Sequence, residues 1–75
     1  MENRAEIFNP VPRTWLKIKR IEREMKQSEV AQACGLNQNI YSRIESGRSN
    51  PFEREAKAIG EFFGFDWHQF YQRSE

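Results

Sequence analysis

The chain has one cysteine and one histidine among its 75 residues. A single cysteine cannot form an internal disulfide, and these two residues cannot supply the ligands of a zinc site. No apolar run approaches the roughly 18 residues of a membrane span, and the N-terminus lacks the basic and apolar parts of a secretory signal. We therefore expect a soluble cytoplasmic protein that needs no metal or other cofactor.

Residues that could form a catalytic site are also missing. The sequence contains no recognisable pair of a nucleophile and a general base and no glycine-rich loop for phosphate. Cys34 falls on the apolar side of a predicted helix, where we expect a small buried hydrophobic residue and not a reactive thiol. The length suffices for one small domain. Together these absences argue against an enzyme and favour a protein that acts by binding.

The net charge of +1 does not by itself indicate a polyanionic partner. Its distribution is more informative. Residues 13–26 contain six basic and two acidic side chains, a net charge of +4, whereas residues 51–75 contain three basic and five acidic ones, a net charge of −2. Such an asymmetry would orient the molecule on a phosphate backbone, although a solvated charged helix would show the same pattern.

Residues 27–47 have the pattern of two short helices joined by a tight turn. Gly35 suits the left-handed conformation that often follows a helix, and Leu36 can fill the corner. Asn37 is a natural N-cap for the second helix, and Gly47 marks its end. This is the signature of a helix-turn-helix unit.

The second helix of this unit has one apolar and one polar side. Tyr41 and Ile44 are three residues apart and should face inward, which turns the polar residues outward. Amide and guanidinium groups on an exposed helix suit the donor and acceptor patterns of base edges. The predicted base-reading residues are Gln38, Asn39, Ser42 and Arg43.

A first helix is predicted from Thr14, as its cap, through Met25. Its apolar residues fall on more than one side, with Leu16 on one and Ile18, Ile21 and Met25 on another, which predicts packing on two sides.

Arg20 lies on the same side as Leu16, so its guanidinium should approach the core and need a carboxylate. Glu45 is the obvious partner, and we expect a structural ion pair.

Two further helices are predicted after the helix-turn-helix unit. Asn50 is interpreted as the N-cap of a fourth helix, with Pro51 as its first residue and Glu53 as the acidic residue at position N3. After Gly64, Asp66 is the expected cap of a fifth. The domain would then cover residues 14–73, preceded by an arm, residues 1–13, and followed by frayed residues 74–75.

The arm carries the apolar residues Ile7, Phe8 and Val11, which we expect to pack on the first helix or on a partner.

Five of the six phenylalanines lie after Asn50, more aromatic surface than one small domain obviously needs. Most of it should be core. The remainder could form a self-complementary dimer patch or could pack within the molecule, and the sequence leaves both open. The residues of this predicted dimer patch are Phe62, Phe65 and Trp67.

Residues 16–47 resemble the phage Cro and repressor family (XRE-like) of all-α, compact five-helix proteins with a lambda-repressor-like DNA-binding domain. The resemblance extends to Phe70 and so covers about 55 of the 75 residues. It rests on elements in fixed order and spacing, namely Gln27, residues 29–31, residues 34–36, residues 42–47, and Asn50 with Pro51.

The resemblance implies that the second helix of the unit enters the DNA major groove, with Gln38, Asn39 and Arg43 at the bases. It also implies that Gln27 and Asn37 lie at the sugar-phosphate backbone. Further phosphate contacts are expected from Lys26, Arg48, Ser49, Asn50 and Arg54. The predicted protein is a transcriptional regulator that binds double-stranded DNA, a homodimeric repressor on an inverted repeat, in the cytoplasm of a bacterial or phage-infected cell.

Three features depart from the family pattern. Lys26 replaces the usual small hydroxyl residue that caps the second helix, Tyr41 stands where an aliphatic residue is usual, and the loop from Gly47 to Pro51 is short. The first could add a phosphate contact, the second would only enlarge the core, and the third could alter how Arg48 and Ser49 meet the DNA backbone.

Other functions of the same fold remain open at this point. An antitoxin or a restriction-modification controller protein would have a similar sequence, and a toxin or antirepressor would then be a further partner. A protein-interaction domain that has lost DNA binding is the alternative of a different class, but the polar face from Gln38 to Arg43 argues against it.

Overall fold

The computed structural model describes residues 10–72, which form four α-helices and a final 3₁₀ helix without any strand in that range. The helices are α1 (Thr14–Glu22), α2 (Gln27–Ala33), α3 (Gln38–Glu45) and α4 (Glu53–Phe63), followed by the 3₁₀ helix Trp67–Tyr71. The all-α architecture agrees with the sequence. The predicted fifth α-helix is a 3₁₀ helix instead, although Asp66 caps it as expected by accepting a hydrogen bond from the His68 N–H at 3.0 Å.

The expected packing of Ile7 and Phe8 and the fraying of residues 74–75 lie outside the described residues. Val11 is described and is 76% exposed, so the expected packing on the first helix is wrong for this side chain.

The buried core draws on every helix. Its apolar members are Leu16, Val30, Ala31, Tyr41, Ile44, Ala56, Ile59, Phe63 and Phe70. Beside it, Trp15 packs its ring 5.2 Å from that of Phe65 and 5.3 Å from that of Phe70. Aromatic pairs of this kind contribute about 0.5 to 1.5 kcal/mol beyond the area that they bury. Much of the aromatic surface after Asn50 is therefore used inside the molecule.

Helix α1 ends at Glu22, three residues before the predicted end. Glu24 adopts a left-handed conformation with φ of +56°, and its N–H donates to the Ile21 carbonyl at 2.8 Å. The sequence predicted a longer helix because this turn contains no glycine or proline that would mark the helix end.

The start of α1 also differs from the prediction, because Thr14 is the first helical residue and Arg13 occupies the N-cap position. Ile18 and Ile21 are exposed, so the expected packing on the second side is wrong for these two residues. Met25, which follows the helix, does pack against the core.

Helix α4 begins at Glu53, later than predicted, and Phe52 occupies the N-cap position. The Phe52 N–H donates to Glu55 Oε1 at 2.9 Å, so Glu55 and not Glu53 is the acidic residue that stabilises the helix start. Asn50 does not cap α4, because it lies two residues before the N-cap position, and its side-chain oxygen accepts a hydrogen bond from Arg13. Pro51 is buried ahead of the helix.

The turn after α3 lies against the segment that precedes α1. Gly47 has φ of +81°, and a Cβ built there would overlap the carbonyl oxygen of Val11. We expect Gly47→Ala to lower the free energy of unfolding by more than the about 1 to 2 kcal/mol that the left-handed conformation alone costs. Gly35→Ala is the matched control, because Gly35 has φ of +72° and no atom within 4 Å of the added methyl. Equal losses in urea unfolding would contradict a structural role for the Val11 contact.

Candidate nucleic-acid interface

The turn between α2 and α3 is closed by backbone hydrogen bonds. Gly35 has φ of +72°, and its N–H donates to the Gln32 carbonyl at 3.1 Å. The next N–H, that of Leu36, donates to the Ala31 carbonyl at 2.8 Å, and the Leu36 side chain packs half-buried against the core. This turn fixes the direction in which α3 leaves α2, as in a helix-turn-helix unit.

Asn37 caps α3 as predicted. Its Oδ1 accepts a hydrogen bond from the Asn39 N–H at 2.7 Å. Because the cap uses only the side-chain oxygen, the amide N–H groups of Asn37 are left to donate elsewhere. Asn37 can therefore start the helix and donate to a phosphate at the same time.

The outer face of α3 carries the residues predicted to read bases. Gln38, Asn39 and Arg43 are exposed, whereas Tyr41 and Ile44 on the opposite side are buried. Ser42 is half-buried at the edge of this face. Within residues 10–72 the side chains of the three exposed residues make no hydrogen bond, so all of their polar groups face outward.

Ile40 is a member of this exposed surface that the sequence interpretation missed. Its side chain is 39% exposed, and it lies one helical turn before Arg43. An apolar side chain beside amides and a guanidinium suits contact with the methyl group of thymine. The sequence did contain a signal for it, because Ile40 is an apolar residue that does not share the inward-facing side of the helix with Tyr41 and Ile44.

The residues predicted to contact phosphates surround α3. Lys26, Arg48, Ser49, Asn50 and Arg54 are exposed, and Gln27 is half-buried. Lys26 stands at the N-cap position of α2, where its backbone N–H donates to Glu29 Oε1 at 2.8 Å. The acidic residue thus compensates in part for the missing small hydroxyl, and the Lys26 ammonium stays in solvent.

A buried hydrogen-bond network connects the two helices of the unit to α1. The structure brings Arg20 and Glu45 together: Arg20 Nε lies 2.8 Å from Glu45 Oε2, and Arg20 Nη2 lies 3.0 Å from Oε1. Gln27 Nε2 donates to Oε1 at 2.9 Å, and the Tyr41 hydroxyl donates to Oε2 at 2.8 Å. Each carboxylate oxygen therefore accepts two hydrogen bonds, which offsets the cost of burying the charge.

The pKa shifts agree with this network. Burial acts to raise the pKa of the Glu45 carboxyl, but hydrogen bonds from Arg20, Gln27 and Tyr41 outweigh burial and leave the pKa below its ordinary value. The hydrogen bond to Glu45 raises the pKa of the Arg20 guanidinium. Burial is the largest cause of the raised pKa of Tyr41, so its hydroxyl stays protonated and donates. Tyr41 therefore does more than enlarge the core.

Residues 16–70, most of the chain, match the family described as Helix-turn-helix. The protein belongs to this helix-turn-helix family. A curated relative, the "Uncharacterized HTH-type transcriptional regulator YqaF" of Bacillus subtilis (strain 168), is 42% identical over 60 residues, which cover 80% of this chain and 79% of YqaF. No solved structure matches the chain. The family assignment from sequence is confirmed, and a helix-turn-helix protein of this kind is not an enzyme.

The aromatic residues predicted as a dimer patch are only partly accessible in this helix-turn-helix protein. Phe62, Phe65 and Trp67 are half-buried and pack against the core. By contrast, Phe52 is 71% exposed, and Tyr71 is exposed although its hydroxyl donates to the Pro51 carbonyl at 2.7 Å.

Cys34 is half-buried, and its Sγ lies 3.8 Å from the Ala58 carbonyl oxygen of α4. Burial raises the pKa of the thiol, which is consistent with a packing role. In the part of the chain from 10 to 72, no helix is long and apolar enough to cross a membrane. The same part holds no group of three or more His, Cys, Asp or Glu side chains that could bind a metal ion.

Proposed function

We propose that this protein regulates transcription by binding a specific DNA sequence through the exposed face of α3. The observation that carries the proposal is the arrangement of this helix, which exposes Gln38, Asn39 and Arg43 while Tyr41 and Ile44 anchor its other side. The name of the relative YqaF, an HTH-type transcriptional regulator, supports the same conclusion.

In this proposal α3 lies in the major groove. Gln38 and Asn39 suit bidentate contacts to adenine, and Arg43 suits the O6 and N7 atoms of guanine. Ser42 contributes at the edge of the face, and Ile40 contacts a thymine methyl. Each good bidentate pair is worth about 1 to 3 kcal/mol of discrimination against the wrong base, so a few such residues suffice for a preferred sequence.

Residues around α3 would hold the phosphates and set the register of the domain. Contacts of this type carry affinity but little sequence information. Lys26 lies at the start of α2, where its ammonium and the partial positive charge of the helix N-terminus act together on a phosphate. The full proposed set is Lys26, Gln27, Asn37, Arg48, Ser49, Asn50 and Arg54.

A single domain of this size reads only a short half-site, and we propose that the protein binds an inverted repeat as a homodimer. The two copies of α3 would enter successive major grooves about 34 Å apart. A dimer bound in this way at a promoter would block polymerase and act as a repressor.

The experiment that tests DNA recognition is selection of binding sequences from a random pool by the purified protein. The expected result is an enriched inverted repeat whose half-sites are about one helical turn apart. Absence of any enriched sequence at moderate salt would contradict sequence-specific binding and favour the protein-interaction alternative.

Dimer contacts are proposed for the patch formed by Phe62, Phe65 and Trp67. Trp67 is the chosen probe because it is the largest of the three side chains and tryptophan is enriched in interface hot spots. Its ring also stacks on that of His68 and lies 5.3 Å from Lys57 Nζ, so the stability of the monomer is measured as well. We expect Trp67→Ala to weaken dimerisation by about 2 kcal/mol, the size of a typical interface hot spot, in sedimentation equilibrium.

Phe52→Ala is the control for this measurement, because it removes another large aromatic side chain, one that is 71% exposed and lies outside the proposed patch. Thermal melts of both variants show whether the monomer remains folded. A dimer weakened by Phe52→Ala and unaffected by Trp67→Ala would contradict the proposed patch.

A further inference from the structure

Arg13 connects the segment before α1 to the end of α3. Its backbone N–H donates to the Glu45 carbonyl at 2.8 Å. Its side-chain Nη1 donates to the carbonyls of Ile44 at 2.6 Å and Ser49 at 3.2 Å. Nη2 donates to Asn50 Oδ1 at 2.7 Å. One residue thus holds both the last turn of α3 and the loop that follows it.

These contacts hold the half-buried Arg13 guanidinium against the protein itself. The guanidinium carbon lies 5.6 Å from the centre of the Phe70 ring, and burial lowers the pKa of the group. A cation at a helix C-terminus also interacts favourably with the partial negative charge of the last carbonyls. Arg13 therefore belongs to the scaffold of α3, although its charge alone would suggest a phosphate contact.

The contact with Asn50 sets the direction of an amide group. Because Asn50 Oδ1 accepts from Arg13, the opposite side of the amide, Nδ2, is left to donate. A phosphate oxygen can only accept a hydrogen bond, so this orientation is the one that suits a DNA backbone. The exposed position of Asn50 in the loop after α3 allows such a contact.

We propose that Arg13 is a positioning residue for DNA binding, which fixes the end of α3 and orients the Asn50 amide toward the phosphate backbone. This inference rests on the proposed function. Arg13 touches no DNA in this arrangement, and its effect on binding passes through α3 and Asn50.

Arg23 provides a matched control elsewhere in the molecule. It donates to the carbonyls of Phe62 at 3.0 Å and Phe63 at 3.4 Å, at the end of α4, and its guanidinium lies about 5 Å from both rings. Replacing Arg23 or Arg13 by alanine removes the same charge, helix-end hydrogen bonds and an aromatic contact. Of these two arginines, Arg13 is the one that contacts α3 and the loop after it.

The first test compares Arg13→Ala, Arg13→Lys and Arg23→Ala with the wild type on the selected sequence and on random duplex DNA at several salt concentrations. We expect Arg13→Ala to bind the selected sequence about tenfold more weakly, equivalent to ~1.4 kcal/mol, with a smaller loss on random DNA and an unchanged salt slope. Arg13→Lys should bind as weakly as Arg13→Ala, because an ammonium group cannot donate to the same three acceptors as the planar guanidinium. Arg23→Ala should leave the ratio of the two affinities unchanged.

A direct phosphate contact would give a different pattern. Arg13→Ala would then lower the salt slope by about 1 and weaken both DNAs alike, and Arg13→Lys would largely restore binding. That result would overturn the proposal. A double-mutant cycle with Asn50→Ala provides a further criterion: if Arg13 acts through Asn50, the two losses are less than additive, and full additivity would contradict this route.

A second measurement needs no DNA. The backbone N–H groups of Arg48 and Ser49 donate to the Arg43 carbonyl at 2.9 and 3.3 Å, so their hydrogen exchange reports whether the loop is held on α3. We expect faster exchange at both residues in Arg13→Ala but not in Arg23→Ala. Unchanged exchange would overturn the positioning role even if the protein binds DNA. If exchange becomes faster in Arg13→Ala but the wild type selects no DNA sequence, the structural role of Arg13 stands and the proposed DNA-binding function is wrong.

Discussion

Glu45→Ala is expected to lower the free energy of unfolding by about 3 to 5 kcal/mol, most of the stability of a domain of this size. The carboxylate accepts hydrogen bonds from Arg20, Gln27 and Tyr41. Its removal leaves a mostly buried guanidinium without its counter-ion and a buried hydroxyl without its acceptor, which costs more than the contacts themselves are worth. Urea unfolding followed by circular dichroism near neutral pH measures the change.

Glu53→Ala is the control for this substitution. Glu53 forms a 2.9 Å ion pair with Lys57 on the surface of α4, where both side chains are exposed. Pairs of this type contribute about 0.3 to 0.5 kcal/mol, so the control should be close to the wild type. Similar unfolding curves for Glu45→Ala and Glu53→Ala would refute a stabilising role for the buried network.

Acid provides a second measurement of the same carboxylate. The pKa of Glu45 is lower in the folded state than its ordinary value of 4.5. Its contribution to stability is therefore fully present above about pH 4.5 and is lost as the pH falls through the lower folded-state pKa. Glu45→Gln should remove this part of the pH dependence. An identical acid dependence in wild type and Glu45→Gln would contradict the direction of the shift.

Arg43→Ala is expected to weaken binding to the selected DNA by about 1 to 3 kcal/mol and to relax base preference at one position in each half-site. The side chain lies on the exposed face of α3, while the Arg43 backbone carbonyl holds the Arg48 and Ser49 N–H groups. Truncation of the side chain should therefore leave the helix end intact. Fluorescence anisotropy and repeated selection from a random pool measure affinity and preference.

Lys26→Ala is the contrasting substitution for Arg43→Ala. We expect it to weaken binding to all DNA sequences alike and to reduce the salt slope by about 1, because a phosphate contact carries no sequence information. The Glu29 carboxylate accepts the Lys26 backbone N–H, so the start of α2 should survive loss of the ammonium. If both variants lost equal affinity for selected and random DNA, Arg43 would not read a base.

Much of the helix-turn-helix unit could be predicted from sequence because its signals are local. The cap at Asn37, the left-handed turn at Gly35, and the inward positions of Tyr41 and Ile44 all depend on residues within a few positions of one another. The pairing of Arg20 with Glu45 was also accessible, since a charge on an apolar helix face requires an opposite charge nearby.

The remaining features depend on contacts between residues far apart in the chain. Arg13 is separated from Ile44 by 31 residues and from Asn50 by 37, and nothing in its own neighbourhood indicates that its side chain turns toward them. Arg13 donates to the side-chain oxygen of Asn50, and α4 begins at Glu53 with Phe52 and not Asn50 at its N-cap.

Local periodicity and capping chemistry are thus enough to place the helix-turn-helix unit and to select the face of α3 that points outward, but not to fix the ends of α1 and the start of α4. How that helix is held is decided by tertiary packing. Gln27 and Tyr41 converge on Glu45, and Arg13 holds the end of α3, only because folding brings separate helices within hydrogen-bond distance. Hydrogen bonds of this kind require contact between atoms a few ångströms apart, and sequence spacing does not report such distances.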